Sequence, residues 1–201
     1  MTTDDLAGRW PLADHHAERD ALLAAYRDPA RGYHDARHLT EVLDRIDELQ
    51  AAGPVGEGPT VYLAAWFHDA VYDGERGDED RSARWAEDAL ADTEHAAPVA
   101  RLVRLTEHHD PPDDDRAGQV LCDADLAILA ASSQRYDAYV DGVRRDYAHV
   151  SDADFVTGRA AVLRDLSRRP RLFHTAYARE HWEPLARANL ARELAGLESQ
   201  L

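Results

Sequence analysis

The chain has 201 residues, a length that fits one domain and can bury a full core without cross-links. Hydrophobic residues make up 44% and charged residues 31%, which excludes a disordered tail and a collagenous chain. Lys+Arg total 23 against 39 Asp+Glu, a net −16 that repels nucleic acid and anionic membrane; no residue is lysine, which excludes P-loop, Schiff-base and kinase-type lysine chemistry.

The N-terminus reads MTTDDLAGRWPLADHH. It has acids where a signal peptide needs positive charge, and no apolar stretch follows, so a cytoplasmic protein is expected. No apolar run is long enough to cross a bilayer. Beyond it the chain reads as helices joined by short breakers, rich in Ala, Leu, Arg, Glu and Asp, without alternating β-branched runs. The breakers fall at Asp28-Pro29, Gly53 to Pro59, Asp73 to Gly77, near Pro98, Asp110 to Asp115, Ser132-Ser133, Ser151 and Arg169-Pro170. The segments between them have the usual globular helix length of about 12–20 residues. Ser151 followed by Asp154 is patterned as a capping box. With no repeat or linker, residues 1–201 are expected to form a single all-α domain.

Thr60 to Ala70 (TVYLAAWFHDA) is apolar on every side, the pattern of a buried central helix. It ends in His68 and Asp69, which need partners or a metal to offset desolvation. The single cysteine, Cys122, excludes an internal disulfide and a Cys-based zinc finger.

The chain carries 11 His, many for its size. Four clusters could carry chemistry. Tyr33-His34-Asp35-Ala36-Arg37-His38 spaces two His four apart, on one face of a helix. The others are His68-Asp69, Glu107-His108-His109-Asp110 and Asp123-Ala124-Asp125-Leu126. A His from an early helix, a His-Asp pair from a central one and an Asp from a later one would make a mixed site with open positions. Imidazole and carboxylate ligands suit Zn, Fe, Mn or Ni, and carboxylates with water suit Mg or Mn. Singly, each cluster is more often structural: a His pair on a surface, an Asp-x-Asp in an acidic chain.

The order His, His-Asp, Asp resembles the HD superfamily of metal-dependent phosphohydrolases. The likeness lies in Tyr33-His34-x-x-x-His38-x-x-x-Val42, in Ala65 to Tyr72 and in Asp123-Ala124-Asp125-Leu126. It is closest to a bacterial branch of predicted phosphohydrolases, and extends through Asp78 to Ala83, Thr106-x-x-His109, Phe155-x-x-Gly158-Arg159 and Arg187-x-Asn189-Leu190, covering about residues 30–195. The resemblance implies an HD-domain helical bundle and a hydrolase that uses a metal-bound water on a phosphate mono- or diester of a nucleotide or small phosphorylated metabolite.

The resemblance also implies roles. His38, His68, Asp69 and Asp125 match metal ligands, with Asp125 preferred to Asp123; the ion would be Mn, Mg, Zn, Ni or Fe. His34 matches the position of a general acid in related cyclic-nucleotide phosphodiesterases, although Asp35 stands where those have Asn. His109, with His108 as the alternative, is placed at a second metal, a substrate phosphate or the surroundings of the site. Glu79 is placed either to orient water or, as a plain first-turn acid, to complement the helix dipole. Arg144 and Arg159 are candidates for phosphate binding, and Tyr139 and Tyr147 are expected in the core. The partner is then a small phosphorylated substrate, with no nucleic-acid polymer and no membrane, and a homodimer is in keeping with the superfamily. Two other readings compete: a di-iron oxygenase of the same fold, which would need more ligands from His95, His108, His109 or Glu79, and a non-catalytic nucleotide- or metal-binding module.

Overall fold

The computed structural model describes residues 3–53 and 58–200. Ten α-helices are defined among them: α1 (His16–Tyr26), α2 (Ala36–Ala52), α3 (Thr60–Phe67), α4 (Asp78–Ala89), α5 (Ala96–Leu105), α6 (Arg116–Leu126), α7 (Ser133–Asp146), α8 (Asp152–Arg168), α9 (Ala176–His181) and α10 (Glu183–Glu198). Two 3-10 segments, Thr3–Arg9 and Ala127–Ala130, complete the secondary structure. No strand occurs among the described residues, so the protein is an all-α bundle, as the composition implies. No helix among them is long and apolar enough to cross a membrane.

Side-chain caps start the helices where the breakers predict. Asp35 accepts the amides of Arg37 and His38 at the start of α2. Ser132, Ser151 and Thr175 do the same for Arg135, Asp154 and Ala178, each satisfying an orphan donor of the first turn. The Ser151 hydroxyl also donates to Asp154 Oδ2 at 2.7 Å, closing the expected box. Two boundaries differ from the sequence reading. Pro98 lies inside α5, in its first turn, where its missing N–H has no intrahelical acceptor to lose; the break precedes Ala96. Helices α3 and α9 span only 8 and 6 residues, short of the expected length, because packing rather than propensity sustains them. Part of the predicted break at Gly53 to Pro59, residues 54–57, lies outside the described residues.

Helix α3 is the centre. Leu63, Trp66 and Phe67 have no exposed surface, and each such burial contributes about 1.5–3 kcal/mol. Helices α2, α4, α5 and α6 all pack against α3. The C-terminal helix α10 lies against α8, α9 and the Ala127–Ala130 turn. The buried side chains form one continuous cluster from Leu6 to Leu197. Because α3 is enclosed by the four helices that carry or adjoin the candidate residues, its C-terminal end is where those residues meet.

One close approach positions the segment before α2. A Cβ on Gly32 would overlap the Gly142 carbonyl oxygen, and a Cβ on Gly142 would stand 2.9 Å from Tyr33 Cβ. Only two glycines allow the loop to lie directly on α7.

Candidate metal centre

His38 lies one turn into α2 and points into the core, with 2% of its side chain exposed. His68 is the residue at the C-terminal boundary of α3, 1% exposed, and Asp69 follows it in the turn. Asp125 comes from the last turn of α6. These side chains converge. His38 Nε2 is 2.9 Å from His68 Nε2, 3.2 Å from Asp69 Oδ2 and 3.1 Å from Asp125 Oδ1. His68 Nε2 is 3.1 Å from Asp69 Oδ2 and 3.6 Å from Asp125 Oδ1. Ligand atoms about 2.1 Å from a common cation are separated by roughly 3.0–3.4 Å in octahedral or tetrahedral geometry, so these spacings match a coordination sphere. His38, His68 and Asp125 form a group that could hold a metal ion.

Backbone partners set the imidazole orientation. His68 Nδ1 lies 2.7 Å from the Ala65 carbonyl, so it carries the hydrogen and leaves Nε2 facing the cluster. The Tyr26 hydroxyl accepts the Asp69 amide at 3.2 Å and lies 3.4 Å from His68 Nδ1. Arg31 donates to the carbonyls of His34, Asp69 and Ala70, tying the loop before α2 to the turn after α3. The two imidazoles are sealed, whereas Asp69 and Asp125 each keep 15% exposure, so the cluster opens toward solvent on its carboxylate side.

The charges are coupled. Burial disfavours ionisation of all four groups, but the opposite charges and hydrogen bonds within the cluster prevail. They hold Asp69 and Asp125 well below the usual carboxylate range and raise His38 and His68 above the usual imidazole value. Two Nε2 atoms 2.9 Å apart cannot both point a hydrogen at the other. The pair therefore takes up one proton and holds it firmly, and that proton sits where a cation would.

The Asp-x-Asp segment divides its work. Asp123 is fully buried and accepts the amides of His174 and Thr175, both at 2.7 Å, so it fastens the start of α9 and does not reach the cluster. Asp125, two residues on, faces the opposite side of the helix. Its Oδ2 lies 2.8 Å from His109 Nε2. His109 adopts a left-handed backbone (φ 52°), which turns it inward, and its carbonyl lies 3.2 Å from His174 Nε2. His108 points outward with 79% of its side chain exposed.

His34 precedes the Asp35 cap and so lies outside α2; the expectation that His34 and His38 share a helix face does not hold. The two rings nevertheless lie 5.7 Å apart. His34 Nδ1 is 2.9 Å from Asp146 Oδ2 at the end of α7, and its ring stacks on Tyr72 at 3.7 Å. Asp146 also accepts the amides of Gly32 and Tyr33. Burial opposes its charge, but His34 and the two amides outweigh that and lower its pKa.

Glu79 is half-buried in the first turn of α4. Burial raises its carboxyl above the usual range, and the negative charges of Glu107 and Asp69 add to this. Its neighbour Asp78 gathers the amides of Asp73, Gly74 and Glu75, folding the preceding loop onto the start of α4.

The two arginines expected to bind phosphate are not brought to the cluster. Arg144 donates to the carbonyls of Tyr147 and Val150 and pairs with Asp152, closing the end of α7. Arg159 pairs with Glu193, donates to the Tyr139 hydroxyl and is 9% exposed. Their charges are used in joining helices. His95 lies 3.2 Å from the Thr60 hydroxyl, at the opposite end of α3 from His68. Tyr139 is buried, as expected, and Tyr147 is partly buried against the core. Asp146, Tyr26 and Tyr72 have no motif in the sequence and are found only through their contacts. No family model, curated protein or solved structure matches the chain.

Proposed function

We propose that the protein is a metal-dependent phosphohydrolase of the HD type, acting on a phosphate mono- or diester of a small phosphorylated metabolite or nucleotide. The observation that carries the reading is the convergence of His38, His68, Asp69 and Asp125, from three helix ends, at spacings of 2.9 to 3.6 Å. Bound there, a divalent cation supplies Lewis acidity toward a phosphoryl oxygen and acidifies a water. His38 and His68 would hold it with neutral nitrogens, and Asp69 and Asp125 would balance its charge.

The chain's own groups divide the proton work. Asp69, partly exposed at the open side, accepts a proton from the attacking water. Glu79, held near protonation, orients that water. His34, steadied by Asp146 and flanked by Tyr72, delivers a proton to the leaving oxygen. His109 braces Asp125 and borders the open side.

The test is elemental mass spectrometry on protein purified without chelator, followed by a phosphate-ester screen. About one equivalent of a divalent metal, with turnover lost in Asp125→Ala, supports the reading. Near two equivalents of iron with oxygen-dependent turnover moves it to the oxygenase, and metal binding or tight nucleotide binding without hydrolysis moves it to a binding module.

A further inference from the structure

Beside the cluster a cavity of about 70 Å³ opens between α2, the end of α6 and the Ala127–Ala130 turn. His38 and Asp125 form one wall, so whatever fills the cavity lies against two of the candidate ligands. The rest is mostly small and apolar, with Val42, Ala127, Ile128 and Ala131. Two features mark it as built for a ligand rather than as a packing gap. The Tyr33 side chain lines it, is 5% exposed and leaves its buried hydroxyl without a hydrogen-bond partner. A buried hydroxyl left unpaired costs about 1–3 kcal/mol, and native proteins seldom carry one without a reason. The charged groups acting on that hydroxyl are Asp125, Glu41 and Arg135, all on the cavity wall, so it faces inward.

The charge of the wall selects the ligand. Arg135 grips both carboxylate oxygens of Glu41, at 2.7 and 2.6 Å, and its guanidinium lies over the Tyr33 ring. That pair is neutral, and Arg45 is drawn off by Glu48. No unbalanced cation faces the cavity, so it does not suit a phosphate. A volume of about 70 Å³ holds roughly five water-sized groups, fewer than the atoms of a nucleobase.

We propose that this cavity is the pocket for the organic part of the substrate, and that it takes a short uncharged group of about five non-hydrogen atoms bearing one oxygen that accepts from Tyr33. Resting on the phosphohydrolase reading, this narrows the substrate to the phosphate ester of a short alcohol or polyol and excludes a nucleotide, whose base does not fit. The phosphate then sits on the open carboxylate side, and the ester oxygen bridges the two.

Binding tests this independently of hydrolysis. The full chain, with and without added metal, is titrated with 1,2-propanediol while the methyl resonances of Val42, Ala127, Ile128 and Ala131 are followed by NMR. Saturable shifts confined to those methyls are expected, weakened about three- to tenfold in Tyr33→Phe, as loss of one hydrogen bond predicts. Ala131→Leu, which fills the space, should abolish them while the remaining spectrum stays folded. No saturable shift, an unchanged affinity in Tyr33→Phe, or thymidine shifting the same methyls would overturn the proposal. If the diol binds as expected but no phosphate ester is turned over, the pocket stands and the hydrolase reading fails.

Discussion

His34 is fastened to Asp146 across 112 positions of sequence, Nδ1 to Oδ2 at 2.9 Å. The same carboxylate takes the amides of Gly32 and Tyr33, so it fixes both the ring and the backbone that carries it. Asp146→Ala therefore leaves two amides and an imidazole without their acceptor. The expected cost is about 2–4 kcal/mol, which for a chain of this length lowers the melting temperature by roughly 5–15 °C. The gentler Asp146→Asn keeps the volume and tests function. If His34 protonates the leaving oxygen, Asp146→Asn and His34→Asn should lower kcat far more than KM, by up to about 10²–10⁴-fold for His34. The loss should shrink for p-nitrophenyl esters, whose leaving group needs no proton. Equal losses with alkyl and nitrophenyl esters would assign His34 to structure alone.

Asp123 and Asp125 make opposite predictions. Asp123→Ala strands the amides of His174 and Thr175, both buried, and should destabilise by about 2–4 kcal/mol. The metal bound per folded molecule should hardly change. Asp125→Ala removes a candidate ligand and the brace on His109, so metal should be lost while the fold survives. Its metal-free form should be no less stable than wild type by more than about 1 kcal/mol, because the carboxylate is partly exposed and its partners remain hydrated on that side. Urea denaturation and metal analysis of the two variants check both halves.

The two Asp variants also mark what the sequence carries and what it withholds. The all-α architecture follows from propensity and breakers, and the buried α3 from its unbroken apolar face. His38, His68, Asp69 and Asp125 were legible because residue type and order suffice to point at them. The choice of His109 over His108 was not, since it depends on the left-handed turn after α5. Asp146 has no local signal at all; only the contact between Gly32 and Gly142, two glycines that read as ordinary loop and helix residues, brings it to His34. Arg144 and Arg159 show the converse. Guanidinium chemistry suits phosphate wherever it occurs, but the acceptors that Arg144 and Arg159 meet are decided by how α7, α8 and α10 pack.

The proton held by the imidazole pair makes metal binding and stability depend on pH. His38 and His68 have raised values, so their contribution to the metal-free fold is full below about pH 6.5 and fades as pH rises through the raised value. Asp69, Asp125 and Asp146 have lowered values, so theirs is full above about pH 4 and is lost on further acidification. The metal-free protein should be most stable between these limits. A cation must displace the shared proton, so its apparent affinity should rise up to about tenfold per pH unit until the pair deprotonates. Calorimetry with and without chelator measures this: the alkaline decline in melting temperature should be present in the chelated sample and absent in the loaded one. A pH-independent metal affinity would remove the imidazoles from the ligand set.

Glu79 sets function against stability. Its half-buried carboxyl is raised by desolvation first and then by Glu107 and Asp69, so at neutral pH its charge works against folding. For an acid with a raised value the penalty is present above that value and disappears as pH falls through it. Glu79→Gln removes the charge while keeping the shape. The melting temperature at pH 7 should rise by a degree or two, and the gain should vanish near pH 4, where wild type is itself protonated. If Glu79 orients the attacking water, the same variant should lower kcat by about tenfold or more with little change in KM. A purely structural acid at the start of α4 gives the reverse: stabilising the helix dipole, it would make Glu79→Gln less stable and leave turnover intact. The sign of the stability change, read together with kcat, decides between the two roles.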